Sequence, residues 1–570
     1  MPRYKFYKVE PVDDLRHLME RSAHKYCNHI AYREFGHDRT IEVVSYKMLY
    51  KRMNFLGTAL IDMGLQGKHF GIVADNSSLW VLSYLSVING AGVVVPLDKE
   101  LTTPQFIELI QKGDIEVLFL GERFYDELDA IRRECPNLST VILLDPLVER
   151  DYEDVYLLYE LIRKGARLLA EGDRRYLDVE IDREAMAEIL FTSGTTGANK
   201  GVMLSHKNIT SCILASTGVI QPKKETFSVL PFSHSYELSC HILTGLYQGA
   251  TITINDSLKH VAENMLEFKP YFLTVVPMFL EAFYRSVQRE AKRTHLAKHL
   301  SYGITFSNLI RKVGIDQRRY FFKPVLEKFG GNLEMLIVGG APVAPHIFDF
   351  FSSIGIEIAN GYGITECSPL VCAWNIEWKG KNAYSVGKAV TGCEVRIDNP
   401  DQDGVGEIQV KGDNVMLGYY KDEKATEVSF TDDGWFRTGD LGYMDKKGFV
   451  YINGRLKDLI ILPNGKNVYP EQIEDHIRHT LDYVKECLVY AAEDKTGRQS
   501  AIQAACYLDP EWAALHSPEE AQEIMKKDLN EVNKTLPSYM QLTKLEIQAE
   551  EFIKTSTHKI KRYKYKAGGN

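Results

Sequence analysis

Short runs of β-branched and other apolar residues recur along the first two thirds of the chain, alternating with longer helical patterns. His69–Ala74 (HFGIVA), Gly92–Pro96 (GVVVP), Glu116–Leu120 (EVLFL), Thr140–Leu144 (TVILL), Met335–Val338 (MLIV) and Ile356–Ala359 (IEIA) are such runs. Runs of this kind predict strands buried on both faces, and the helices between them predict parallel sheets covered on both sides. After about residue 380 the pattern changes. Glu394–Ile397, Gly406–Val410, Trp435–Thr438 and Phe449–Ile452 are short strands with Gly and Asp turns between them, which predicts a small antiparallel barrel or sheet. Leu79–Leu97 (LWVLSYLSVINGAGVVVPL) carries no charge and approaches the length of a bilayer span. Asn89-Gly90 and Gly92 interrupt it and Pro96-Leu97-Asp98 closes it, so a buried helix followed by a buried strand is expected.

The chain has 570 residues, enough for three to four folding units at roughly 150 residues each. Its 45% hydrophobic and 25% charged residues are ordinary for a globular enzyme. A net charge of −9 argues against nucleic acid as the main partner. One segment runs against that balance. Between residues 285 and 328, Arg285, Arg289, Lys292, Arg293, Lys298, Arg311, Lys312, Arg318, Arg319, Lys323 and Lys328 stand against Glu290, Asp316 and Glu327, a local charge of +8. A solvated helical insert and an electrostatic contact with an anionic membrane both fit such a run. The nine cysteines are odd in number and form no CxxC pair, which points to reduced thiols rather than a disulfide framework or a zinc ribbon. Met1-Pro-Arg-Tyr-Lys-Phe-Tyr lacks the apolar region of a secretory signal. A cytoplasmic location is therefore expected, with peripheral attachment to the inner membrane surface as its variant.

Candidate chemistry concentrates at Ile189–Leu204, ILFTSGTTGANKGVML. An apolar strand ends at Phe191, and Thr192-Ser193-Gly194-Thr195-Thr196-Gly197 then packs hydroxyls and glycines together, with Lys200 just beyond. Glycine lets a backbone turn tightly and approach a ligand, while successive N–H groups, hydroxyls and a lysine suit phosphate oxygens. A Walker A loop needs Ser or Thr after its lysine, and here Gly201 follows Lys200. Gly339-Gly340-Ala341-Pro342 follows Met335–Val338, at the strand end where open α/β sheets bind ligands. Asn360-Gly361-Tyr362-Gly363-Ile364-Thr365-Glu366 ends in a hard oxygen ligand of the kind magnesium takes. Trp435-Phe436-Arg437-Thr438-Gly439-Asp440 offers a carboxylate able to accept hydrogen bonds from adjacent hydroxyls. Gly454-Arg455-Leu456-Lys457-Asp458 and the basic Lys554-Thr555-Ser556-Thr557-His558-Lys559-Ile560-Lys561-Arg562 complete the set.

In this order the segments resemble the signature of the adenylate-forming (AMP-binding) superfamily. Within it the chain is most similar to the acyl-CoA synthetase branch and its long-chain fatty acid–CoA ligases. The resemblance implies an α/β fold. Residues 1–456 would form a large N-terminal domain of two flavodoxin-like sheets plus a small β-barrel at about 380–452, and 457–570 a small mobile α+β C-terminal domain. It implies that Thr192, Ser193, Gly194, Thr195, Thr196, Gly197 and Lys200 hold the phosphates of ATP. Gly340, Ala341, Pro342, Asn360, Gly361, Tyr362 and Gly363 would line the nucleotide, with Tyr362 on the adenine, Thr365 on the α-phosphate and Glu366 on Mg2+. Asp440 would take the ribose and Arg455 the ribose or a phosphate, with Lys457 as hinge. Lys559 matches the lysine of the adenylation step, acting with Thr192, Lys200 and Glu366. Gly465, Lys466 and Asn467 would help bind the thiol acceptor. Leu230–Glu237 (LPFSHSYE) resembles the long-chain enzymes' segment, which places His234, Tyr236, Val276 and Gly339 at the acyl pocket. Two positions depart from the family pattern: Asn199 stands where Pro is usual, and His558 where Gly is usual.

The implied reaction joins a carboxylic acid, with a long- or medium-chain fatty acid as the expected substrate, to CoA at the expense of ATP. It releases AMP and pyrophosphate and passes through an acyl-adenylate, with Mg2+ bound. Two rivals remain open: a ligase that loads an acyl carrier protein, and a catalytically dead ATP-binding scaffold. The chain stops soon after Lys559, so no fused carrier domain is expected. A homodimer and a peripheral membrane contact through 285–328 are both compatible with this reading.

Overall fold

Apolar runs too long for a half-exposed strand are stable only where helices cover both faces, and that is where they lie in the computed structural model. The structure describes residues 4–36, 38–144, 154–193, 199–221, 225–462, 466–493, 499–554 and 560–565. It divides into two compact units, one of residues 1–192, 199–394 and 410–436, the other of 193–198, 395–409 and 437–570.

The first unit holds two large sheets. One runs in the order Gly418–Tyr419, Asn199–Ser205, Met186–Ser193, Gly92–Pro96, Lys68–Val73, Ile115–Leu120, Thr140–Leu143, Val155–Leu157. Its central strands are parallel, with Phe70 opposite Val94 and Gly71 opposite Leu118. Val73, Val95, Leu118, Leu120 and Val141 pack with Phe106 and Leu109 of helix Thr103–Lys112 in one buried core. The uncharged stretch is a buried helix, Ser78–Ser86, then a turn at Val87–Ala91 and the strand Gly92–Pro96. Gly90 turns the chain at φ +134, and a Cβ on Gly92 would sit 2.2 Å from the Lys68 carbonyl oxygen. Both positions therefore require glycine. Among the described residues no helix is long and apolar enough to cross a membrane.

The second sheet runs Ser385–Ala389, Leu370–Ala373, Glu357–Gly363, Met335–Val338, Phe272–Val275, Glu225–Ser228, Thr251–Ile254, Ile30–Phe35, Ile41–Ser45. From Glu357–Gly363 to Ile30–Phe35 the strands are parallel. The segments after Ser228, Val275, Val338 and Ala359 therefore emerge along one edge, the carboxyl edge at which such sheets bind ligands.

In the second unit, Val484–Glu493 pairs antiparallel with Gln499–Leu508, which pairs in parallel with Leu542–Ile547. Ile473 and Ile477 of helix Pro470–Thr480 and Met525 of helix Pro518–Lys534 share a core with Val489, Ala504 and Leu542. This is the expected α+β C-terminal module. The barrel expected at 380–452 does not close. Cys393–Asp398, Gly406–Gly412, Phe436–Met444 and Val450–Arg455 follow one another in a strip whose first strand is no neighbour of its last. A barrel with a filled interior takes about eight strands, and four leave no interior to fill.

Candidate active site

Four segments meet at the carboxyl edge of the second sheet. Tyr236 lies in the short helix Ser235–Glu237. Its hydroxyl donates to the Ile337 carbonyl at 3.1 Å. A Cβ on Gly339 would come within 2.9 Å of its ring, so ring and backbone are in direct contact. Gly340 turns at φ +84 beside Val276, leaving Gly340, Ala341 and Pro342 exposed. On the adjoining strand Asn360 stands opposite Val338. Its Nδ2 donates to the Ala383 carbonyl at 3.2 Å, whereas its buried Oδ1 has no hydrogen-bond partner among the described residues. Glu357–Gly363 extends further than the sequence pattern suggests, because Gly361 and Tyr362 pair with Ala373 and Cys372 of an antiparallel neighbour. A Cβ on Gly363 would sit 1.9 Å from the Pro369 carbonyl oxygen.

Beyond this strand the chain makes a single turn, Thr365–Cys367. Glu366 accepts a hydrogen bond from the Tyr419 hydroxyl at 2.9 Å. The Nζ of Lys200 lies 4.5 Å from the centroid of the same Tyr419 ring, a cation–π contact. The phosphate-loop lysine, the aromatic ring and the carboxylate thus form one chain, with Thr192 at the end of Met186–Ser193, the strand before the loop. Burial, then the Glu366 charge, holds the Tyr419 phenol well above its ordinary range, so it acts as a neutral donor. Tyr419 was invisible to motif reading. It sits in a two-residue strand, Gly418–Tyr419, paired with Met203 and Val202, and its one local signal is a Gly-Tyr-Tyr among turn residues. Ser235 was also unforeseen; its hydroxyl donates to Thr365 Oγ1 at 3.4 Å. The neighbouring His234 has its Nε2 3.7 Å from Asp98 Oδ2. The Glu366 carboxylate and the neighbouring Thr365 hydroxyl are hard oxygen donors, of the kind magnesium takes with phosphates and waters completing its shell.

In the second unit Asp440 and Arg455 are directly opposite on paired strands, and Arg455 Nε donates to Asp440 Oδ1 at 2.7 Å. Asp440 is buried. Lys457 is exposed in the turn Leu456–Asp458 that follows. Arg562 is surrounded by acids. It bonds Glu474 closely, and lies 3.8 Å from Glu471 and 3.9 Å from Asp458. Burial pushes the Glu471 carboxyl up to about 7; Arg562 opposes that rise, and Glu474 and Asp458 add to it. Lys466 Nζ lies 4.3 Å from the centroid of the Tyr539 ring, and Asn467 pairs with Ile461. Gly194, Thr195, Thr196, Gly197, Gly465 and Lys559, with His558, lie outside the described residues, as does the Ser193 side chain.

Residues 19–420 match the AMP-binding enzyme family, and residues 457–567 match the AMP-binding enzyme C-terminal domain. The chain belongs to the AMP-binding enzyme family. This AMP-binding enzyme is 30% identical to long-chain-fatty-acid–CoA ligase 5 of Rattus norvegicus over 473 residues, covering 76% of this chain and 67% of the relative. It is 26% identical to the chloroplastic long-chain-fatty-acid–[acyl-carrier-protein] ligase AEE15 of Arabidopsis thaliana over 579 residues, covering 89% and 78%. It shares its fold with the o-succinylbenzoate coenzyme A synthetase of Bacillus subtilis, solved with ATP and a magnesium ion. The TM-score is 0.70 at 22% identity, over 96% of this chain and 98% of that one. The family and these relatives make the AMP-binding enzyme an AMP-forming acid–thiol ligase of the acyl-CoA synthetase branch, as the order of its motifs implies.

Proposed function

We propose that this AMP-binding enzyme activates a long- or medium-chain fatty acid with ATP and transfers the acyl group to CoA. The observation that carries the reading is the Lys200–Tyr419–Glu366 chain beside the exposed Gly340–Pro342 turn. A lysine held by a ring rather than by an acid keeps its charge for an incoming phosphate. Tyr362 supplies an aromatic face for the base, and Thr365 a hydroxyl for the α-phosphate.

In the first half-reaction the acid's carboxylate oxygen attacks the α-phosphorus. The bond to the bridging oxygen breaks, leaving acyl-AMP and pyrophosphate. Carboxylate and triphosphate repel each other, and Lys559 and Lys200 offset that repulsion. Glu366, with the hydroxyls of Thr192 and Thr365 near the phosphates, would hold magnesium, which neutralises charge on pyrophosphate. Asp440 accepts from the ribose hydroxyls while Arg455 holds it in place. In the second half-reaction a thiol attacks the acyl carbon and AMP leaves. Lys457 is the pivot on which the C-terminal residues exchange Lys559 for the Gly465–Asn467 segment. Tyr236, Val276, Gly339 and His234 line the acyl side.

The likeness to a carrier-protein ligase over 89% of the chain favours a second reading, in which the acceptor is the thiol of an acyl carrier protein. One assay separates the readings: acid-dependent pyrophosphate release from Mg-ATP, with saturated acids from acetate to stearate and with benzoate. It is run with CoA, with carrier protein, or with neither. Turnover that needs a long-chain acid and CoA supports the first reading, and turnover only with carrier protein the second. Failure of every acid to release pyrophosphate from enzyme that still binds ATP would sink both.

A further inference from the structure

The basic run at 285–328 is not used by the chemistry above, and the structure sorts its charges into two groups. Some are spent inside the fold. Arg318 pairs with Asp316 at 2.7 Å and Glu357 at 3.0 Å, and Arg319 donates to the carbonyls of Gly331, Leu333 and Gly355. Arg289, Lys292, Lys298 and Lys312 are different: they make no ion pair among the described residues.

Helix Ala297–Lys312 lies within this run and is apolar on two faces. Leu300 and Ile304 pack inward on the core around Leu280, Phe322 and Phe351. Asn308 anchors the same side by donating to Ser353 Oγ at 3.0 Å. Tyr302, Phe306, Leu309 and Val313 follow one another by four, three and four positions, so they form one stripe. That stripe points outward, each residue between 54% and 75% exposed. It continues into the next turn, where Phe321 packs edge-on against Phe306 at 6.0 Å and against Tyr320 at 5.9 Å. Of the 24 large hydrophobic side chains that are exposed among the described residues, eight fall between Leu296 and Phe321. Scattered exposed hydrophobics need no explanation, but a contiguous aromatic-rich patch does.

We propose that the face made by the outward stripe of helix 297–312 and the turn through Tyr320 and Phe321 seats the enzyme on an anionic phospholipid bilayer. Aromatic and branched side chains flanked by lysines on one helical face fit the boundary between headgroups and acyl chains. Each cation held near an anionic leaflet adds to the attraction, and salt screens it. A second copy of the chain fits less well, because the flanking cations of two such faces would meet like to like. The proposal stands apart from the identity of the acid or the acceptor.

The full-length enzyme is sedimented with phosphatidylcholine vesicles, with and without one third phosphatidylserine. Binding is expected only to the phosphatidylserine vesicles and should weaken at high salt. Phe306→Ser/Leu309→Ser/Val313→Ser and, separately, Lys298→Glu/Lys312→Glu should each lower partitioning by about tenfold or more. Acid-dependent pyrophosphate release without vesicles should stay unchanged, which shows that both variants fold. Wild-type partitioning by the triple-serine enzyme overturns the proposal. So does equal binding to neutral vesicles. A self-association that the triple-serine change abolishes, with no vesicle binding, also overturns it and assigns the face to a second copy.

Discussion

Lys200 and Arg562 are both cations at functional positions, and the protein holds them in opposite ways. Lys200 rests over a tyrosine ring at 4.5 Å, and the nearest acid in its chain of contacts, Glu366, is reached through the Tyr419 hydroxyl. Arg562 is half-buried among Glu474, Glu471 and Asp458, more acids than it can neutralise. A cation that must greet an anionic ligand is best held by a partner that does not compete for its charge. A cation that must stay put is best surrounded by acids, at the cost of burying charge. The comparison teaches that partner type, more than proximity to a motif, separates a binding cation from an anchoring one.

The comparison breaks first at the anchor. Arg562→Met should strand the buried Asp458 and Glu474 and the half-buried Glu471 and destabilise the C-terminal unit by about 3–5 kcal/mol, read by denaturant unfolding. An unchanged midpoint would mean that Arg562 is not an anchor. Adding Glu474→Gln to that variant should recover part of the loss. At the binding cation, Glu366→Gln keeps the Tyr419 contact but removes the carboxylate. Pyrophosphate release should fall about 10²–10³-fold, with the unfolding midpoint nearly unmoved. Loss of stability instead would make Glu366 structural.

A pH series sharpens the contrast. The Glu471 carboxyl rises from 4.5 to about 7 in the fold, so the folded state keeps a proton that the unfolded chain releases. Its contribution is complete below about pH 4.5 and is lost as pH rises through 7, a slope worth up to about 3 kcal/mol. Glu471→Gln should flatten the stability profile between pH 5 and 8 and stabilise the protein most at the upper end. Unaltered pH dependence would remove Glu471 from the account. The smallest effect is expected from Tyr419→Leu, which withdraws the ring beneath Lys200. The KM for ATP should rise by the equivalent of about 0.5–2 kcal/mol, while Lys200→Arg on the intact ring should keep much of the binding.

The parallel sheets were legible because a β-branched run such as Val93-Val94-Val95 can be buried in few ways, and the glycine-rich turns because their motifs come in a fixed order. Three things were not. Tyr419 reaches Glu366 across 53 residues, and no local pattern records such a distance. The strip at 393–455 carries strand-like alternation, but closure into a barrel depends on strand number and stagger, which alternation does not encode. The segment around Lys559 reads as a solvated basic run, yet Arg562 within it is half-buried among acids. Its acids come from Asp458 and from one face of helix Pro470–Thr480, where Glu471 and Glu474 are one turn apart. In the run at 285–328 charge was visible, but the inward turn of Arg318 and Arg319 was not.

The Arg562 clamp has a genetic consequence. A nonsense codon at 562 would leave the core residues Ile473, Val489, Met525 and Leu542 of the C-terminal unit in place. Here it would remove the cation that holds Asp458, Glu471 and Glu474 together. Such an allele should behave as a folding null, and a charge-removing change at Glu474 is where a suppressor should arise.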